Sequence, residues 1–185
     1  MDTTRLDPLA EILIPAFLDV PTYSRRFRDE HGQPPTAAAK VHHMRSVAQA
    51  MVNASDRLML AEPYTEFGRV EVEDTELDRT YLIRSDSAVT IERRLRQDAA
   101  LFDSAKYLDT EIVLLVFKFH AGGLDLSEAG TRRKAGRYRL EPTGVPSYVG
   151  TWPYSLGGPS PFDQGSTDAF DDLGDIGDGF GDGWG

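Results

Sequence analysis

The sequence predicts an α+β fold: a single domain with helices packed on a largely antiparallel sheet, followed by a disordered acidic Gly/Asp-rich C-terminal tail. Three observations predict it. Apolar residues from Ala37 to Leu58 recur at alternating spacings of four and three, which is the period of one helix face. After Pro63 the period falls to two in the runs "GRVEVED", "RTYLIRS" and "SAVTIER", the period of a strand with one face buried. From Leu156 that alternation stops while Gly, Pro, Ser and Asp rise together, so the globular domain is assigned to residues 1–155 and the tail to residues 156–185.

Taken in order, "DPLAEILIPAFLDV" forms a short helix, with Asp7 as N-cap and Pro8 at the first helical position, where a missing N–H costs nothing. Pro15 breaks or kinks it. The polar stretch "PTYSRRFRDEHGQPPT", punctuated by Pro34 and Pro35, reads as a loop. A helix then starts from Thr36 and lays Ala37, Val41, Met44, Ala48, Met51, Ser55 and Leu58 along one narrow stripe. The three alternating runs form an antiparallel meander, with Val70 and Val72 facing one way and Glu71 and Glu73 the other. "ERRLRQDAALFDSAKYL" is a second helix carrying Leu95, Ala99, Phe102 and Lys106 on one face. "EIVLLVFKF" is apolar on both alternating faces except at Lys118, the mark of a central strand covered on both sides. "HAGGLDLSEAGTRRKAG" reads as a glycine-containing connection, "GRYRLEP" as a strand and "SYVGTWPY" as the last one.

A length of 185 residues leaves room for one domain and an appendage. The hydrophobic fraction of 40% and aromatic fraction of 10% supply an ordinary core. No cysteine is present, which excludes disulfides, thiol nucleophiles and thiolate metal sites. The opening "MDTTRLDPLAEILIPAFLDV" lacks the basic start and long apolar run of a secretion signal, and no apolar stretch approaches a membrane span. These features predict a cytoplasmic protein with no membrane partner. The formal net charge of −10 is unevenly placed. Residues 161–185 hold seven Asp and no Lys or Arg, while the remainder balances 20 cations against 23 acids.

Within the tail, Phe170, Leu173, Ile176, Phe180 and Trp184 are separated by three, three, four and four residues, the spacing of one helical face. Six glycines between 168 and 185 oppose a helix at about 1 kcal/mol each, and like-charged Asp pairs add to that. The free segment is therefore expected to be disordered. A purely solubilising extension has no use for regularly spaced rings. Rings that drop into pockets while carboxylates meet a basic rim describe a short docking motif for a protein partner. The acids fall mostly at every third or fourth position, not at every second as a calcium loop requires.

Three basic clusters raise a nucleic-acid reading: Arg25, Arg26 and Arg28; Arg93, Arg94 and Arg96; and Arg132, Arg133, Lys134, Arg137 and Arg139. Phe27 and Tyr138 stand among them as stacking groups, and the acidic tail could occupy such a patch in cis. Against it, Glu92, Asp98 and Glu141 lie close enough to neutralise part of the clusters, and the body is not basic overall.

For catalysis, His42 and His43 are adjacent and point ~100° apart on a helix, so they cannot chelate a metal from one face. His120, at the end of the apolar strand and before "AGGLD", is the one catalytic candidate, set against a structural role. Glu71 and Glu73 share a strand face that could hold Mg²⁺, although the same spacing describes the solvent side of an amphipathic strand. No cofactor or metal motif is present, so none is expected. The sequence therefore predicts a non-enzymatic binding or adaptor protein whose tail docks on a partner. The alternatives are a nucleic-acid-binding accessory protein autoinhibited by its tail, and a structural subunit of a larger assembly.

Overall fold

The computed structural model describes residues 3–61, 70–85, 111–133 and 140–154. A 3₁₀ turn, Thr4–Leu6, leads into three helices, α1 (Asp7–Leu18), α2 (Val20–His31) and α3 (Ala37–Asn53). Among the described residues seven strands come after them: β1 (Leu58–Leu60), β2 (Val70–Asp74), β3 (Arg79–Ser85), β4 (Glu111–His120), β5 (Gly123–Arg133), β6 (Leu140–Pro142) and β7 (Ser147–Trp152). The sheet order is β1-β2-β3-β4-β5-β6, with β7 also on β5. Every pairing described is antiparallel except β3 with β4. This is an α+β arrangement of helices on a mostly antiparallel sheet, as the sequence predicts. Among the described residues, no helix is long and apolar enough to cross a membrane.

Helix α1 continues through Pro15 to Leu18 instead of breaking there. An interior proline costs about 3 kcal/mol, but Leu9, Ile12, Leu13, Ile14 and Phe17 are all buried, and each contributes ~1.5–3 kcal/mol. Burial wins. Asp7 opens the helix without capping it; its carboxylate accepts the indole N–H of Trp152 at 2.8 Å, tying the first helix to the last strand.

The stretch read as a loop is helix α2. Pro21 lies in the first turn, where proline is tolerated, and Gly32 ends the helix in the left-handed conformation at φ 71°. Both residues are helix boundary signals that look like loop punctuation when the apolar stripe between them is thin. Here the stripe is Val20, Ser24 and the half-buried Tyr23 and Phe27.

Helix α3 starts where predicted, with the Thr36 hydroxyl accepting the Ala39 N–H at 3.2 Å. It ends sooner. Ser55 and Leu58 lie beyond it, because the Ser55 hydroxyl accepts the N–H groups of Arg57 (3.2 Å) and Leu58 (3.0 Å) and turns the chain into β1. Leu58 remains in the core, but from a strand.

β2 and β3 form the predicted hairpin. The meander does not extend to a third antiparallel strand beside β3, because the second edge of β3 is taken by β4 in parallel register, Arg79 opposite Glu111 through Ser85 opposite Phe117. The predicted strand at 87–93 and helix at 92–108 lie outside the described residues. β4 is central, as expected. Val113 and Leu115 join the main core, and Ile112, Leu114 and Val116 face the other way. The main core also holds α1, α3, Val72, Tyr81, Ile83, Leu124 and Leu126.

The segment read as a glycine-containing connection is mostly strand β5. Its glycines mark the turn, with His120 opposite Gly123 across Ala121 and Gly122, while Leu124 and Leu126 alternate inward. Gly123 has φ 144°, and a Cβ there would meet the Trp152 carbonyl oxygen at 2.3 Å. Of the predicted strand at 136–142, Leu140–Pro142 is described as β6. β7 matches its prediction. The described residues end at Tyr154, so the boundary near 155 and the tail lie outside them.

Candidate functional site

The hairpin between β4 and β5 brings His120 into a connected polar cluster. The Gly122 N–H donates to His120 Nδ1 at 3.1 Å, which leaves Nε2 to carry the proton and donate it to Asp125 Oδ1 at 3.0 Å. The Thr151 hydroxyl donates to the same carboxylate oxygen at 2.5 Å, and the Tyr148 hydroxyl lies 2.6 Å from Thr151 Oγ1. Partial burial opposes ionisation of Asp125, but the bonds from Thr151 and His120 outweigh it and hold its carboxyl below the usual range. Tyr154 completes the cluster by donating its hydroxyl to the His120 carbonyl at 2.8 Å. Burial pushes that phenol well above its ordinary value.

Chemically, both nitrogens of His120 are spent on the hairpin. A general base needs a lone pair aimed at a substrate, whereas here Nδ1 accepts from the backbone and Nε2 faces a carboxylate. The geometry is that of a staple joining β4, β5 and β7. In the chain of bonds Tyr148 and Thr151 are exposed, Tyr148 at 59%.

Glu71 and Glu73 do share a sheet face, but not the solvent side expected for it. Glu71 is 7% exposed, beside Leu82 of β3, and Glu73 is half-buried. Among the described residues no group of three His, Asp or Glu side chains is placed to hold a metal ion.

Of the three basic clusters only Arg25, Arg26 and Arg28 are described with side chains, and all three are exposed on α2. Helical geometry divides them. Arg25 and Arg28, three apart, share one flank, while Arg26 falls ~100° from Arg25 toward the Tyr23 and Phe27 side. Asp29 and Glu30 stand one turn after Arg25 and Arg26. Arg132 and Arg133 belong to the end of β5, paired with Glu141 and Leu140. Arg93, Arg94, Arg96, Lys134, Arg137 and Arg139 lie outside the described residues, as do Phe170, Leu173, Ile176, Phe180 and Trp184.

The sequence reading missed the cluster at the α2–α3 contact. His43 Nε2 lies 2.8 Å from Asp19 Oδ2, and its ring stacks on Tyr23 at 4.1 Å. Tyr23, Phe27 and His31 form a ladder, with centroids 5.8 and 4.3 Å apart. The signal in the sequence is aromatic rings at i, i+4 and i+8. His42, next to His43, is exposed, in keeping with the angle expected between adjacent helical residues.

Two further features complete the described surface. Arg57 grips Asp74 through Nε (3.0 Å to Oδ1) and Nη2 (2.7 Å to Oδ2), and the Asp74 carboxylate, 1% exposed, also accepts the N–H groups of Glu76 and Leu77. That knot fixes β1 against the β2–β3 turn. A shallow groove of about 330 Å³ runs beside β1, lined by Val52, Asn53, Ser55, Leu58, Met59, Leu60 and Ala61. Its polar lining is limited to Asn53 and Ser55, with the Ser55 hydroxyl already used by the backbone.

Comparison of the chain with protein-family models, with curated proteins and with solved structures returns no match.

Proposed function

We propose that the protein is a non-enzymatic binding protein: an α+β body that presents its acidic, aromatic C-terminal segment to a protein partner. The observation that carries this reading is the composition of residues 161–185. Tyr154 is clasped to the β4–β5 hairpin through its hydroxyl, and its ring packs beside Phe17, so the last described residue is tied to the body. Past that point, residues 161–185 carry seven Asp, no cation and five apolar side chains at helical spacing. A segment of that composition gains order only when its rings are buried by something else. Phe170, Leu173, Ile176, Phe180 and Trp184 are its anchors, and the aspartates select a basic rim. A cytoplasmic location goes with this reading.

The test is competition. Partner recovered on immobilised full-length protein should be displaced by a synthetic 161–185 peptide and not by one with Phe170, Phe180 and Trp184 replaced by alanine. Equal displacement by both peptides, or by neither, would reject the proposal.

A second reading is favoured by the exposure of Arg25, Arg26 and Arg28 on α2: a nucleic-acid-binding accessory protein whose cations are screened by the tail. Removing residues 161–185 should then raise affinity for single strands with a steep salt dependence. No binding at low salt by either form ends it.

A further inference from the structure

A sheet edge presents unpaired backbone N–H and C=O groups, and folded chains blunt it by shortening the edge strand or placing charge on it. Among the described residues this sheet has three edge strands, β1, β6 and β7. β1 and β6 span three residues each, and β6 includes Glu141 and Pro142. β7 is different. It runs for six residues between Pro146 and Pro153, and among the described residues it is paired on one side only, to β5.

From Pro142 to Tyr154 there is no Asp, Glu, Lys or Arg, in a chain that is 27% charged. The side chains along this edge are open. Ser147 and Thr151 are exposed, Tyr148 is 59% exposed, and Val145, just before the strand, is 89% exposed. The other large apolar side chains exposed among the described residues, Met59 and Leu77, lie at β1 and the β2–β3 turn. One blunting device is present, a bulge at Val149, between Tyr148 opposite Ser127 and Gly150 opposite Leu126. It twists the strand without charging it.

A neutral edge favours a neutral occupant. Each chain carries a formal net charge of −10, so two copies repel over much of their surface and meet at least cost where neither carries charge. The antiparallel ladder reads the same from either strand, which makes such a strand its own complement about a two-fold axis. Pairing uses up both open edges, so assembly closes at two.

We propose that β7 is the contact between two copies of this chain, the strands pairing antiparallel across a two-fold axis so that one sheet runs through the dimer, with Val145 and Tyr148 flanking the seam. Six residues a side make a patch smaller than the ~1,200–2,000 Å² of a standard interface, so the dimer is weak and reversible. This goes beyond the proposed function and uses no residue of the C-terminal segment.

Sedimentation equilibrium of the full chain from ~5 to ~500 µM, the range suited to a small interface, should show the average mass rising toward twice that of the monomer. The rise should be larger in about 0.5 M than in about 0.05 M salt, because screening weakens repulsion between like-charged chains. Val145→Lys combined with Ser147→Lys should raise the dissociation constant ~10-fold or more by setting like charges across the seam. Ala38→Lys combined with Ala50→Lys, both exposed on α3, adds the same charge elsewhere and should leave association unchanged or tighter. In the unaltered protein, amide exchange within 147–152 should slow as concentration rises. A monomer throughout the range overturns the proposal. So does a dimer indifferent to the edge lysines, one that dissociates as salt rises, or one whose gain in protection falls outside β7.

Discussion

Replacing His120 with alanine should weaken the fold and leave partner binding intact. The loss comprises two hydrogen bonds, from Nε2 to Asp125 and to Nδ1 from the Gly122 N–H. A neutral bond to backbone is worth ~1 kcal/mol net, and the bond to a carboxylate somewhat more in a buried setting. With about a third of each side chain exposed, solvent screens the second, so the sum is ~1.5–2 kcal/mol. For a chain of this size that lowers Tm by about 3–8 °C. Urea unfolding followed by circular dichroism, run as a double-mutant cycle with Asp125→Asn, should return a coupling of ~0.5–1 kcal/mol at neutral pH. The Asp125 carboxyl is held below its usual range, so its stabilisation is fully present above the unfolded pKa of about 3.9 and fades as pH falls below that. Cycles repeated at successively lower pH should show the coupling shrink as pH falls through the lowered folded-state pKa of that carboxyl. A loss below ~0.3 kcal/mol with strictly additive variants would refute the staple and return His120 to the list of groups free for chemistry.

Asp74→Ala leaves Arg57 half-buried without its main partner and should cost ~3 kcal/mol in chemical denaturation, well above the 0–1 kcal/mol of an ordinary surface pair. Gly123→Ala forces a Cβ into the Trp152 carbonyl and should cost ~2–4 kcal/mol by the same measurement. Tyr154 is raised well above its ordinary pKa, chiefly by burial, so its contribution is complete below about pH 10 and declines as pH rises. In a thermal series from pH 8 to 11, Tyr154→Phe should start lower than the parent and fall less steeply above pH 10.

Legibility tracks the strength of the apolar pattern. α1, α3 and β4 are visible in sequence because their burial is periodic or continuous, and β7 because Tyr148, Val149, Thr151 and Trp152 are strand-favouring residues. α2 is not, because its stripe is made of Ser24, Tyr23 and Phe27 within a polar helix, and its Pro21 and Gly32 serve as boundary signals in helices and as punctuation in loops. β5 is obscured by the glycines at its start, which belong to the hairpin turn, and β1 by Leu58, whose spacing from Ala48 and Met51 happens to continue the helix. The parallel pairing of β3 with β4 has no local signature at all, since it depends on a return across the sheet. At the candidate site, His120 stands out in the sequence as a strand-end histidine. Its structural role is not readable there, because the residues that occupy it, Gly122, Asp125 and Thr151, are brought together only by the hairpin and by a strand some 30 residues later. The burial of Glu71 is hidden for the same reason: alternation fixes which residues share a face, not what covers that face.

The most direct test of the central claim removes residues 161–185 and measures two quantities on the same preparation, Tm and affinity for the recovered partner. A self-sufficient body with a docking segment predicts a Tm within about 1 °C of the full chain and partner binding reduced at least ~100-fold, the loss expected when several anchoring side chains go at once. A large fall in Tm, or binding that survives the truncation, would contradict it.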